Sequence, residues 1–266
     1  RSGNFGWTME NNTTATKPTL SLSLALSGGA ARGAFHLGFI QALQENAVDI
    51  KAISGTSAGA IVGGAIACGV TPKEVLEILK SKEFKAIFKF NWFRSSVFSI
   101  DYGAKVIQKL FPVLDIKDAE IPFYACVADL TTNEVLYANS GSGVDYVLAS
   151  SSLIPIFEPY PYDSKMLVDG GFLELMPTLP LVKHGYPILG INLLPHKTPQ
   201  KYNFFTLLAN ASDMLFRATL PQDVKRCEWY VSPDALSNLS LFSLSKLDQG
   251  FDLGYAEGLK WLNSLE

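Results

Sequence analysis

Histidine and cysteine are both scarce in this sequence, three of each in 266 residues. Cys68, Cys126 and Cys227 stand in apolar neighbourhoods with neither paired nor metal-ligand spacing, so they read as buried thiols of a reducing compartment. No disulfide frame and no metal site is expected. None of the histidines has a neighbour that would orient it as a base: His36 sits in an apolar helical pattern, and His184 and His196 stand beside Gly or Pro. Long apolar runs are also missing. The longest, from Ala58 to Val70, falls well short of the roughly 20 residues a membrane-spanning helix requires. Basic charge is not in excess: the net charge of -3 and pI near 5.7 leave no footprint for nucleic acid, which is not expected as a partner. The opening "RSGNFGWTMENNTTATKPT" lacks an apolar core and reads as neither secretory signal nor anchor. Residues 1–18 are expected to lie outside the fold, as a disordered tail or cloning remnant, and the location implied is cytoplasmic.

What the chain does have is enough apolar content, 48%, for one large core, and that content is arranged in β-turn-α units. "LSLSLAL" (20–26) runs into "SGG" and then into the helical spacing of "AFHLGFIQALQEN". "DIKAIS" runs into "GTSAGAIVGGAIACG", a helix expected to end at Gly69, with Thr71 and Pro72 opening the next. Two such units in succession predict a parallel sheet with helices on its faces. Downstream, "IPFYACVADLTTNEVLYAN" predicts two strands joined by a turn. "YVLASSSLIP" predicts a helix stopped by Pro155, and "KMLVDGG" and "YPILGINLLP" predict two further strands. From Asp223 to Leu262 the pattern predicts mostly helix.

Three short stretches could carry chemistry. "GTSAG" (55–59) fits G-x-S-x-G, in which a serine sits on a strained strand-to-helix turn with its hydroxyl exposed, and Gly55 and Gly59 allow close packing around it. That makes Ser57 a candidate nucleophile, with a structural turn as the plainer alternative. A nucleophilic serine needs a base. The better candidate is Asp169 in "LVDGG": a carboxylate at the end of an apolar strand loses solvation, and its pKa should rise into the range of a useful base. A turn-forming Asp before Gly170 and Gly171 is the alternative. "SGGAARG" (27–33) supplies backbone N–H groups at a helix N-terminus, suited to an oxyanion. Its glycines are out of register for a dinucleotide fold. Arg32 either anchors this loop or meets an anionic head group.

In their order, "SGGAARG", "GTSAG" and "DGG" resemble the anion-hole loop, nucleophile elbow and catalytic-aspartate turn of the patatin-like phospholipases. "VADLTTNEVLYAN", "SSSLIP", "GYPILGINLLP" and "DLGYAEGLKWL" are also similar to segments of that family, so the resemblance extends over about residues 20–262. It implies a three-layer α/β/α sandwich with a central mostly parallel sheet, one acyl hydrolase domain over 19–266, and a Ser57–Asp169 dyad. The implied oxyanion hole is Gly28, Gly29 and Ala30 with Arg32 and Gly33, the substrate is a phospholipid or lysophospholipid ester, and no cofactor or metal is used. Two positions depart from the family pattern. Ala30 stands where a glycine is usual, which the hole tolerates if φ there is negative, and Leu175 stands where an asparagine is common.

Two other classes stay open: an acyltransferase on the same elbow, against which Thr56 stands in place of the histidine that carrier-protein transacylases favour, and a lipid-binding module without catalysis. Residues 82–100, "KEFKAIFKFNWFRSSVFSI", add aromatics among Lys82, Lys85, Lys89 and Arg94. They read either as core or as a flap through which Trp92 and Phe93 contact a membrane.

Overall fold

The computed structural model describes residues 20–90, 96–100, 105–196 and 203–265. Among these, the strands are β1 (Ser21–Leu26), β2 (Asp49–Thr56), β3 (Phe88–Phe90), β4 (Phe98–Ile100), β5 (Phe123–Asp129), β6 (Glu134–Ala138), β7 (Tyr160–Tyr162), β8 (Lys165–Asp169), β9 (Ile188–Ile191) and β10 (Trp229–Val231). The helices are α1 (Gly33–Glu45), α2 (Ala58–Ala67), α3 (Pro72–Lys80), α4 (Lys82–Lys85), α5 (Lys105–Gln108), α6 (Gly143–Ser150), α7 (Phe204–Phe216), α8 (Leu220–Arg226) and α9 (Leu247–Asn263). The main sheet runs β10-β9-β1-β2-β5-β8-β7, with β6 also paired to β5. Its β10-β9-β1-β2-β5 half is parallel; β6, β7 and β8 join antiparallel.

Helices cover both faces of the sheet, as an α/β sandwich requires. On one side α1, α2, α3, α6 and α9 bury the larger core, in which Phe35, Phe39 and Phe123 are fully enclosed. Each such side chain contributes about 1.5–3 kcal/mol of transfer free energy. On the other side a thinner layer, formed by the turn Leu179–His184 and α8, covers Ala25, Ala52 and Tyr124. The α1–α9 contact is close enough to need glycine: a Cβ at Gly254 would lie 2.0 Å from the Phe35 carbonyl oxygen. The two helices therefore touch backbone to backbone.

The strand-turn-helix units fall where the periodicity places them, and Thr71 caps α3 in a reciprocal pair with Glu74. From Asp223 to Leu262 the chain is mostly helical, as the pattern predicts, but Trp229–Val231 adds a strand the pattern does not show, β10, parallel to β9. A run of three residues with one apolar edge carries no period to read. The helix before Pro155 ends earlier, at Ser150, whose hydroxyl donates to the Cys126 carbonyl at 2.6 Å instead of continuing the helical face. In the 82–100 stretch, Phe84 and Ile87 are buried, and β3 pairs with β4 as an antiparallel hairpin. Trp92, Phe93 and Arg94 lie outside the described residues.

Candidate active site

Ser57 occupies the turn between β2 and α2 with φ 53° and ψ -120°. A non-glycine residue there stores on the order of 1–3 kcal/mol, so its surroundings must hold it. They do so from three sides. The Ser57 carbonyl accepts the N–H groups of Ala60 and Ile61 at 2.9 and 3.0 Å, and its own N–H donates to the Ser150 hydroxyl at 2.8 Å. The turn also packs against strand backbone: a Cβ at Gly59 would stand 2.3 Å from the Leu26 carbonyl oxygen. The steric reading of G-x-S-x-G thus describes a real contact. Ser150 was not legible as a partner; its only signal was a serine run in an otherwise apolar helix.

Asp169 ends β8 and is 3% exposed. Its Oδ1 accepts the Gly171 N–H at 2.8 Å, and the Ser57 hydroxyl lies within hydrogen-bonding range of its carboxylate. Burial raises the Asp169 pKa to about 6, against the downward pull of those two donors. The group is therefore largely ionised at neutral pH yet basic enough to accept a proton, which is the balance a general base needs.

The loop 27–33 lies beside the elbow, and its donors divide. The Gly28 N–H donates to the Leu175 carbonyl at 3.3 Å, the Ala31 N–H to Leu241 at 2.8 Å, and the Arg32 N–H to Gly29 at 3.1 Å. The N–H groups of Gly29 and Ala30 have no partner among the described residues. Gly28 is thus partly engaged where three free donors were expected. Ala30 has φ 49°, so the negative φ that would have made alanine harmless is not what the loop adopts. At Leu175, where the family pattern commonly has an asparagine, it is the backbone carbonyl that meets the loop, through the Gly28 N–H. Gly33 opens α1 against Ala58, and Gly170 and Gly171 begin the turn after Asp169.

Arg32 points away from the hole. Its Nε donates to the Leu239 carbonyl at 2.9 Å and its Nη1 to the Leu193 carbonyl at 3.0 Å. It anchors the loop through backbone carbonyls, not through a carboxylate. His36 is fully buried with Nε2 3.0 Å from the Ser27 carbonyl oxygen, and burial lowers its pKa to about 4, so it braces the loop as a neutral ring. His184 pairs with the Tyr124 hydroxyl at 2.9 Å on the thinner side of the sheet. Neither histidine lines the cavity over Ser57.

That cavity, about 370 Å³, is walled by apolar side chains including Ile61, Leu153, Phe157, Leu241 and Leu247, and Ala30 and Ser57 also line it. Among the described residues that line it, Lys85 alone is charged. The shape suits an acyl chain presented to a serine hydroxyl.

A strand-borne serine elbow beside a buried aspartate, on a mostly parallel sheet, defines an α/β protein with a serine–aspartate site. Residues 24–182, more than half of the chain, match the family model for patatin-like phospholipase, and the chain belongs to that family. It is similar to lysophospholipase NTE1 of Kluyveromyces lactis, 25% identical over 92% of this chain and 19% of that protein. It is likewise similar to lysophospholipase NTE1 of Cryptococcus neoformans, 32% identical over 62% of this chain and 10% of that protein. The chain thus spans less than a fifth of those fungal relatives. An uncharacterised NTE family protein of Mycobacterium bovis is 32% identical over 60% of this chain and 45% of its own length. In structure, VipD from Legionella pneumophila superposes with a TM-score of 0.57 at 16% identity, covering 91% of this chain and 67% of VipD, which is a likeness of fold.

Proposed function

We propose that this domain hydrolyses the acyl ester of a phospholipid or lysophospholipid through an acyl-enzyme on Ser57. The observation that carries the reading is a buried, basic Asp169 within hydrogen-bonding range of the Ser57 hydroxyl, with Ser57 itself lining an apolar cavity. Asp169 accepts the hydroxyl proton as Oγ attacks the ester carbonyl carbon. Charge that develops on the carbonyl oxygen faces the N–H groups of Gly29 and Ala30, joined by Gly28 where its long bond to Leu175 yields. The C–O bond to the alcohol then breaks, and protonated Asp169 returns the proton to the leaving oxygen. Water, deprotonated by Asp169, attacks the acyl-Ser57 ester and releases the fatty acid and the free serine.

The apolar lining supports a fatty-acyl group as the part recognised, and the relatives named lysophospholipase support a glycerophospholipid as the bearer. Membrane contact through residues 82–100 fits the same reading, since Phe84 and Lys85 line the cavity and join it to that stretch.

Incubation with a fluorophosphonate probe tests the nucleophile, because its phosphoryl oxygen occupies the place of an ester transition state. Ser57 is expected to be labelled, and Ser57→Ala to abolish both labelling and lipid turnover. Asp169→Asn should lower turnover by about a thousandfold or more with no loss of folding. If His184→Ala were as damaging while Asp169→Asn stayed active, the dyad would be wrong. A folded protein that is never labelled favours the non-catalytic module, and turnover only with an added acyl acceptor favours the transferase.

A further inference from the structure

On the thinner side of the sheet, beneath the dyad, two carboxyl groups meet where the mechanism does not need them. Glu174 follows the Asp169 turn and is 7% exposed; Asp223 belongs to α8 and is 1% exposed. Tyr137 on β6 donates its hydroxyl to Glu174 Oε2. Thr178 and Arg226 donate to Asp223 Oδ1 at 3.0 and 3.2 Å. The two side chains lie within hydrogen-bonding reach of each other. Yet Asp223 Oδ2, fully buried, has no donor among the described residues.

Two buried carboxylates in contact, one with an orphaned oxygen, are an unstable arrangement unless a proton lies between them. A single proton would satisfy Oδ2 and remove the repulsion at once. Burial, and then the neighbouring Glu174, push Asp223 up to about 7, and burial raises Glu174 as well. The other titratable groups facing the pair are Tyr137, Cys126 on β5, and Arg226 and Cys227 at the end of α8. The phenol and both thiols are pushed upward by burial and stay neutral, which leaves Arg226 as the charged partner.

The backbone around Glu174 reaches every piece of the site. Its N–H donates to the Gly170 carbonyl at 2.8 Å, next to Asp169, and its carbonyl accepts the Thr56 hydroxyl at 3.1 Å, next to Ser57. The following Leu175 carbonyl accepts the Gly28 N–H, and the Pro177 carbonyl accepts the Ser54 hydroxyl. One short run, residues 174–177, thus ties the aspartate turn, the elbow strand and the anion-hole loop together.

We propose that Glu174 and Asp223 share one proton, and that the shared proton holds this run in place, making both acids positioning residues for Ser57. The inference rests on the dyad reading above. When the proton leaves, two like charges with one partly exposed guanidinium between them repel, and the run that aligns the dyad shifts with Glu174.

The rate of fluorophosphonate labelling at Ser57, measured across pH, tests this. In the unaltered protein labelling should rise with Asp169 ionisation and then fall at higher pH, by up to about tenfold per pH unit, as the pair loses its proton. Asp223→Asn, whose amide donates permanently to Glu174, should move that fall upward by about one pH unit or more, or remove it; Glu174→Gln should do the same. A merely structural role would change melting and leave the alkaline fall where it was. A fall unmoved in both variants, or absent from the unaltered protein, overturns the proposal while leaving the dyad intact. No labelling at any pH would instead overturn the dyad reading, and this inference with it. Should both variants misfold, infrared spectra of Asp169→Asn near neutral pH decide: a carboxylic-acid C=O stretch supports the shared proton, and its absence overturns it.

Discussion

Thr56 and Asp169 are paired with consecutive residues of a single strand, Thr56 with Cys126 and Asp169 with Val127 of β5. Because β6 pairs with β5 across both positions, β2 and β8 must share the opposite edge, lying end to end. β2 leaves that edge at Ser57 and β8 arrives at it with Asp169. The meeting of Ser57 and Asp169 follows from sheet register rather than from any loop.

The acid limb of activity should report Asp169. With its pKa raised to about 6, kcat/KM should drop by about tenfold per pH unit below that value, because only the carboxylate accepts the serine proton. Stability should run the other way. A carboxyl group with a raised folded pKa favours the folded state fully below its unfolded value, about 4, and that contribution is lost as pH rises through about 6. Asp169→Asn should therefore flatten this part of the stability profile in denaturant titrations; a profile identical to the unaltered protein would contradict the raised pKa.

Ala30 holds φ 49°, where an L-residue loses on the order of 1–2 kcal/mol that glycine does not. Set against the greater unfolded freedom of glycine, Ala30→Gly should stabilise the domain by about 0.5–1 kcal/mol. Its melting temperature should rise, with labelling of Ser57 retained. A lower melting temperature would mean that the backbone is not left-handed at this position.

Ser150 accepts the Ser57 N–H and donates to the Cys126 carbonyl. Ser150→Ala removes the acceptor of the Ser57 N–H and a donor to the Cys126 carbonyl, and should lower stability by about 1–3 kcal/mol. Because the first of these bonds fixes the elbow, kcat should fall more than KM rises. Unchanged kinetics in a stably folded variant would show that the elbow holds itself.

Replacing Trp92 and Phe93 with serine tests the membrane-facing reading of residues 82–100. Binding to phospholipid vesicles and turnover of aggregated lipid should weaken several-fold, as an interfacial aromatic pair predicts, with hydrolysis of a short soluble ester kept. Equal loss of both activities would assign the pair to the core.

The parts of the molecule legible in the sequence are those whose physics is local. The glycines of the elbow and the aspartate turn act within a few residues of Ser57 and Asp169, so each motif carries its own signature. The burial of Asp169, which makes it a candidate base, was readable because an apolar strand before a Gly-Gly turn already implies it. Glu174 was not: five residues on, it reads as an ordinary surface acid, and only its backbone contacts to Thr56 and Gly170 give it a role. The left-handed Ala30 was hidden for the opposite reason, since alanine normally signals an unstrained backbone. β10 was missed because three residues become a strand only when β9 offers an edge.

The C-terminal contacts of the anion-hole loop bear on how such domains diversify. Ala31 and Arg32 are tied to Leu241 and Leu239, and Leu241, Phe242, Leu244 and Leu247 form one wall of the cavity. All of these partners lie beyond residue 182, where the family match ends. The motifs and one wall of the cavity beside them are therefore written in different stretches of the gene. Changes in the second can reshape that wall without touching the first, and a fragment cut at the end of the matched region would keep every motif while losing both the brace of the loop and a wall of the cavity.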